Sequence, residues 1–133
     1  MTSENADGTS RMSADTADYD GVVVVVLTGE IDMTNAAQMR IAVEAELDRR
    51  PVGIVVHLAV EFLASAGLSV LVESNQRAQR AGIGFAVVAT ASAARRPLTA
   101  VGLDQVLPVH DAVADAVEAL REASVTTQSD HTI

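Results

Sequence analysis

Two short stretches carry the side chains whose types and spacing could do chemistry. Gly29-Glu30-Ile31-Asp32 follows an apolar run and sets two carboxylates at i and i+2, a spacing that can hold Mg²⁺. Phe62-Leu63-Ala64-Ser65-Ala66-Gly67-Leu68 sets one hydroxyl, Ser65, where the chain passes from an extended segment into a helical pattern. The acidic pair would suit a phosphoacceptor receiver only if another Asp closed the third strand. Residues 85–90 contain none, so a structural or partner-facing turn is the better reading. Ser65 has two readings. As a helix N-cap it would contribute about 1 kcal/mol. As a modification site it would place a phosphate where free helix amides and the helix dipole tolerate an anion, while adding nearly two negative charges to an exposed surface. The residues by themselves leave both open.

Other catalytic and metal chemistries find no support. His57, His110 and His131 are scattered, with no His-x-x-x-His pair, so surface or structural roles outweigh a metal site. There is no Gly-x-x-x-x-Gly-Lys-[Ser/Thr] loop and no Gly-x-Ser-x-Gly elbow. Cysteine is absent, which removes disulfides, thiolate catalysis and cysteine-ligated zinc. Lysine is absent too, and with it any Schiff base or P-loop lysine. No catalytic constellation remains, and no cofactor or metal is expected.

These stretches must be positioned by a single domain's worth of chain, 133 residues, of which 49% are hydrophobic. The aromatics are Tyr19, Phe62 and Phe85 alone, so the core must be aliphatic and base-stacking platforms are scarce. The formal charge of −9 repels phosphate backbones and anionic lipid, which disfavours nucleic-acid and membrane-surface roles. The N-terminal twenty residues are Ser/Thr/Asp-rich with no apolar h-region. The longest apolar run, 22–27, is far too short to span a bilayer. A cytoplasmic protein is the expectation.

The periodicities predict alternating strands and helices. Residues 1–10 read as a disordered tail, 11–17 as a weak edge strand, and Tyr19-Asp20-Gly21 as a turn. The β-branched run 22–27 predicts a strand buried on both faces. Thr34 or Asn35 can cap a helix over 36–49, with Ala36, Met39, Val43 and Leu47 on one face and Pro51 as its stop. A second strand follows at 53–58. The next helix runs from Ser65 to about 80, with Leu68, Leu71, Val72 and Ala78 inward and Gly82 at its end. A strand at 85–89, a helix over 93–101 capped by Ser92, a short strand at 106–109 and a helix over 112–123 capped by Asp111 complete the pattern. The domain is thus expected over 11–123, with a flexible tail at 124–133. Helical connections between successive strands imply parallel neighbours.

The ordered set of motifs resembles the STAS domains of bacterial anti-sigma factor antagonists, particularly actinobacterial ones. Gly29-Glu30-Ile31-Asp32 is similar to that family's Gly-Glu-Leu-Asp signature. Residues 62–68 resemble its Phe-hydrophobic-Asp-Ser-Ser-Gly-Leu segment. Val101-Gly102-Leu103-Asp104 and Val106-Leu107-Pro108-Val109 resemble its Gly-Leu…hydrophobic-Pro-Val region. Ala64 and Ala66 stand where the pattern has Asp and a second Ser. His57-Leu58-Ala59-Val60-Glu61-Phe62 replaces Asp-Leu-Ser-x-Val-x-Phe, one residue shorter.

The resemblance implies an α/β fold: one STAS-like domain, a mixed, mostly parallel sheet of four or five strands, and four helices. It implies a partner switch and not an enzyme. The unphosphorylated antagonist binds an anti-sigma factor with a histidine-kinase-like ATPase fold, and a sigma factor is released. Phosphorylation of the serine matching Ser65 ends binding, and a phosphatase resets it. The implied partner surface is Glu30, Asp32, Ala64, Ser65, Ala66 and Gly67, on a monomer or weak dimer. The alternative is a STAS-like scaffold or sensor that binds a ligand or self-assembles without phosphorylation.

Overall fold

The computed structural model describes residues 11–131, with side chains described through Ser124. The expected tail at 1–10 lies outside the described residues. Ten-residue β2 (Val22–Ile31) is the hub of a five-stranded sheet, in which strands follow chain order. β1 (Met12–Tyr19) pairs antiparallel along one edge of β2. On the other side come β3 (Gly53–Leu63), β4 (Gly84–Val88) and β5 (Val109–His110), all parallel. The helices are α1 (Ala36–Asp48), α2 (Ser65–Ala81), α3 (Ser92–Ala100) and α4 (Val113–His131), with a 3₁₀ turn at Leu103–Gln105.

The valine run explains the two-layered core. Successive side chains on a strand point to opposite faces. Val23, Val25 and Leu27 therefore enter one cluster, with Met39, Val43 and Leu47 of α1, Leu68 and Leu71 of α2, and Leu98 of α3. Val22 and Val24 enter a second, with Ala116, Val117 and Leu120 of α4. Three helices thus cover one face and α4 the other. Gly53 and Gly84 lie under Leu120, where an added Cβ would come within 2.8 and 3.0 Å of its methyls. The faces expected for α1 and α4 are buried as predicted, apart from a partly exposed Val113.

Several boundaries differ from expectation, each for a physical reason. β2 runs four residues past Leu27, so Gly29-Glu30-Ile31-Asp32 is a strand end and not a turn. β3 runs five residues past Leu58. Alternation persists there, with Ala59 and Glu61 exposed and Val60 and Leu63 buried. Glu61 is an extra residue: Gly29 pairs with Val60 but Glu30 with Phe62. The strand expected at 106–109 shrinks to Val109–His110, because Pro108 has no N–H to give a ladder; its carbonyl accepts from Val87 (2.9 Å) instead. Ser65 and Ser92 are not N-caps. Ala64 and Ala91 hold the cap positions, without side-chain cap bonds, and the serines are the first helical residues. Asp111 does not cap α4, whose first residue is Val113; its carboxylate pairs with Arg95 (2.8 Å). α4 continues beyond Ala123 to His131, through a stretch with neither Gly nor Pro to stop it.

Two predictions follow from this packing. Gly29 has φ +92°, and a Cβ there would overlap the backbone carbonyl of Arg11, which accepts the Glu30 amide (3.1 Å). Gly29→Ala is expected to destabilise the fold by about 2–4 kcal/mol in urea unfolding, combining backbone strain with a clash that pries β1 away. His57 lies half-buried on β3, and burial pushes its pKa below the usual 6.5. A histidine depressed in the folded state binds fewer protons than its unfolded counterpart, so stability falls as pH drops below 6.5. His57→Gln is expected to flatten the unfolding free energy between pH 7 and 5 relative to the native chain.

Candidate functional site

The carboxyl ends of β2 and β3 finish side by side. Ile31 pairs with Leu63, and the next amide, Ala64 N–H, donates to Ile31 O (2.9 Å). The Glu30–Asp32 end and the start of α2 are therefore held together by backbone bonds. α2 approaches this junction closely because residue 67 is glycine: a Cβ there would meet Leu63 Cδ1 at 2.7 Å and Ile31 Cγ2 at 2.9 Å. The structure thus gathers Glu30, Asp32, Ala64, Ser65, Ala66 and Gly67 at one end of the sheet. Ser65 is exposed, Ala64 and Ala66 are half-exposed, and Gly67 is buried. Ser65 Oγ makes no hydrogen bond among the described residues. As the first helical residue, Ser65 stands at the helix N-terminus, where its own amide and that of Ala66 precede the first bonded turn, which begins with Gly67 N–H donating to Ala64 O (3.0 Å).

The loop from β2 to α1 is clamped. Asn35 is 2% exposed. Its Oδ1 accepts from the Asp32 amide (2.9 Å) and its Nδ2 donates to Glu30 O (2.9 Å). Asn35 is thus the helix N-cap by position, yet its side chain braces the preceding loop instead of the helix amides. Asp32 Oδ1 accepts from the hydroxyl (2.6 Å) and amide (2.9 Å) of Thr34. The Thr34 hydroxyl, and after it the Thr34 amide, hold the Asp32 carboxyl below its usual pKa. Glu30 pairs with Arg11 (3.5 Å) at the surface. The two carboxylates are thus committed to a loop and an ion pair, and no cluster of three or more His, Cys, Asp or Glu suited to a metal occurs among the described residues.

Beside Ser65 a shallow groove of about 430 Å³ runs between α2 and the turn after α3. Leu68, Val72, Val101 and Leu103 line it, with Ser65 at its end. Sequence reasoning missed this groove and the Asn35 clamp. The signal available for the first was Val101-Gly102-Leu103, read only as a family motif. Val72, expected inward, is half-exposed because it faces this groove.

No helix among the described residues is long and apolar enough to cross a membrane. The Mycobacterium tuberculosis protein named anti-sigma-F factor antagonist RsfB is 36% identical over 106 residues, 79% of this chain and 86% of that protein. RsfA of the same species, named likewise, is 30% identical over 104 residues, 76% of this chain and 81% of RsfA. The crystal structure of an anti-sigma factor antagonist from Mycobacterium paratuberculosis superposes with a TM-score of 0.78 at 39% identity, covering 83% of this chain and 94% of that one. The sequence profile of the STAS domain matches residues 13–116. That span takes in β2 to β5 whole, β1 from its second residue, both strand ends beside Ser65 and the start of α4, and the chain belongs to the STAS domain family.

Proposed function

We propose that this chain is an anti-sigma factor antagonist, controlled by phosphorylation of Ser65 in a cytoplasmic partner switch. The observation that carries the reading is Ser65 itself: exposed, unbonded, first in α2, and tied by the Ala64–Ile31 bond to the Glu30–Asp32 end of β2. The names of RsfB and RsfA support the antagonist role. The free form binds an anti-sigma factor with a histidine-kinase-like ATPase fold through Glu30, Asp32, Ala64, Ser65, Ala66 and Gly67, and a sigma factor is released. The ATPase then transfers a phosphoryl group from ATP to Ser65 Oγ. The phosphoserine brings about −1.5 to −2 charges beside two carboxylates and fills space where the partner sat. A phosphatase removes it.

Phosphorylation is expected to weaken partner binding at least tenfold, because a bulky, strongly hydrated dianion would have to be desolvated at the centre of the contact. Ser65→Ala should bind constitutively, and Ser65→Glu should bind poorly. Mass spectrometry after incubation with ATP and each purified kinase-fold anti-sigma factor of the source organism checks the site; titration checks the affinity. Binding by Ser65→Glu as tight as wild type, with no phosphate on Ser65, would leave a scaffold or sensor without phosphorylation as the better reading.

Ala64 lies where the family pattern has Asp. A carboxylate there is expected to act on phosphoryl transfer more than on affinity, so Ala64→Asp should speed Ser65 phosphorylation and change binding little. A time course beside a titration separates the two effects. Unchanged phosphorylation with a large loss of affinity would contradict this division.

A further inference from the structure

Seven large apolar side chains are exposed among the described residues; Met33 (80% exposed) and Phe62 (51%) belong to the two strand ends beside Ser65, and Val101 (61%) shares a groove with Ser65. A lone exposed apolar residue is ordinary, whereas several gathered around one point mark a contact surface. Met33 tops the loop between β2 and α1, directly beyond Asp32. That loop is braced by Asn35 on both Asp32 and Glu30 and by Asp32 on Thr34, so the methionine is held out into solvent on a rigid mount. Phe62 pairs in register with Glu30, on the strand that leads into Ser65. Val101 lines the groove that Ser65 ends.

The charged groups on the two strand ends are mostly acidic: Glu30, Asp32 and Glu61, with Arg11 paired to Glu30, in a chain of net charge −9. Glu73 lines the groove beside Val101. A second copy of the chain would bring the same carboxylates against these. A partner with apolar contacts at its centre and Arg or Lys at its rim would complement them.

We infer that Met33, Phe62 and Val101 are the apolar contacts that hold the anti-sigma factor around Ser65, on a partner surface that is apolar at the centre and basic at the rim. This rests on the antagonist reading and adds to it the residues that supply affinity. Methionine suits such a contact, because its unbranched, polarizable side chain adapts to an irregular surface. The carboxylates steer the encounter, and the apolar side chains set how long it lasts.

The test is a titration of the full chain against each purified kinase-fold anti-sigma factor of the source organism. Wild type, Met33→Ser, Val101→Ser and Ile41→Ser are compared, the last being an equally exposed apolar residue on α1. Met33→Ser and Val101→Ser are each expected to weaken binding about tenfold, mainly through faster dissociation, with unchanged thermal midpoints. Ile41→Ser should bind as wild type. If wild type binds and both site variants bind equally well, the inference is overturned while the antagonist reading stands. If wild type binds none of the factors, both fall together. Light scattering supplies a further outcome: a wild-type dimer that Met33→Ser converts to monomer would assign the surface to a second copy and overturn the inference.

Discussion

Ile31 and Leu63 face one another on the last rung of the parallel β2–β3 ladder, and the Ala64 amide closes that rung onto Ile31 O (2.9 Å). Remove this junction and the rest loses its frame. Both side chains are buried, at 0% and 4% exposure, and both would touch a Cβ on residue 67, so α2 is seated directly on the paired strand ends. The β2–α1 loop departs from the same rung and is fastened by Asn35 one residue before and one after Ile31. The position of Ser65 relative to Glu30 is therefore set by backbone pairing and a glycine contact. The buried Asn35 side chain then fixes Asp32 and Met33 to the same frame.

An aliphatic core makes this possible with few aromatic residues. β2 and β3 send alternate valines, leucines and isoleucines to both faces, and the two clusters clamp the central strands from either side. β-branched residues have restricted rotamers and fit a pleated surface closely. The ion pairs contribute differently. Arg40 with Glu73, and Arg77 with Asp48, join α1 to α2 across exposed ground, where such pairs are worth about 0–1 kcal/mol each. They align two helices that the core has already brought together.

Much of this was legible in the sequence, because alternation of strand and helix signals leaves few topologies. The burial of the valine run and the inward faces of α1 and α4 followed from pattern and connectivity. Strand ends were harder. The 59–63 stretch mixes small, acidic and aromatic residues and reads as a loop; only its pairing partner on β2 and the bulge at Glu61 keep it extended. Caps were misread for a related reason. Ser65, Ser92 and Asp111 have suitable side chains, but the backbone enters each helix at a residue fixed by tertiary contacts, which sequence preference alone does not reveal. The Asn35 brace was invisible because an Asn before a helix ordinarily signals a cap, and its burial depends on the neighbouring loop.

The misread cap bears directly on the proposed switch. Had Ser65 been an N-cap, its hydroxyl would be bonded to a helix amide, and a phosphate there would remove a structural contact of about 1 kcal/mol. With Ala64 at the cap, Ser65 Oγ makes no hydrogen bond among the described residues, and no cap bond at the start of α2 depends on it. On the switch reading, phosphorylation can then change the surface without changing the fold. On the same reading the chain's own packing is indifferent to the modification, whereas the proposed partner, with its contacts around the hydroxyl, would not be. A switch built this way needs no second conformation of the antagonist. It needs only a rigid mount for the serine, which the β2–β3 junction provides, and a binding surface that cannot accommodate both the phosphate and the partner.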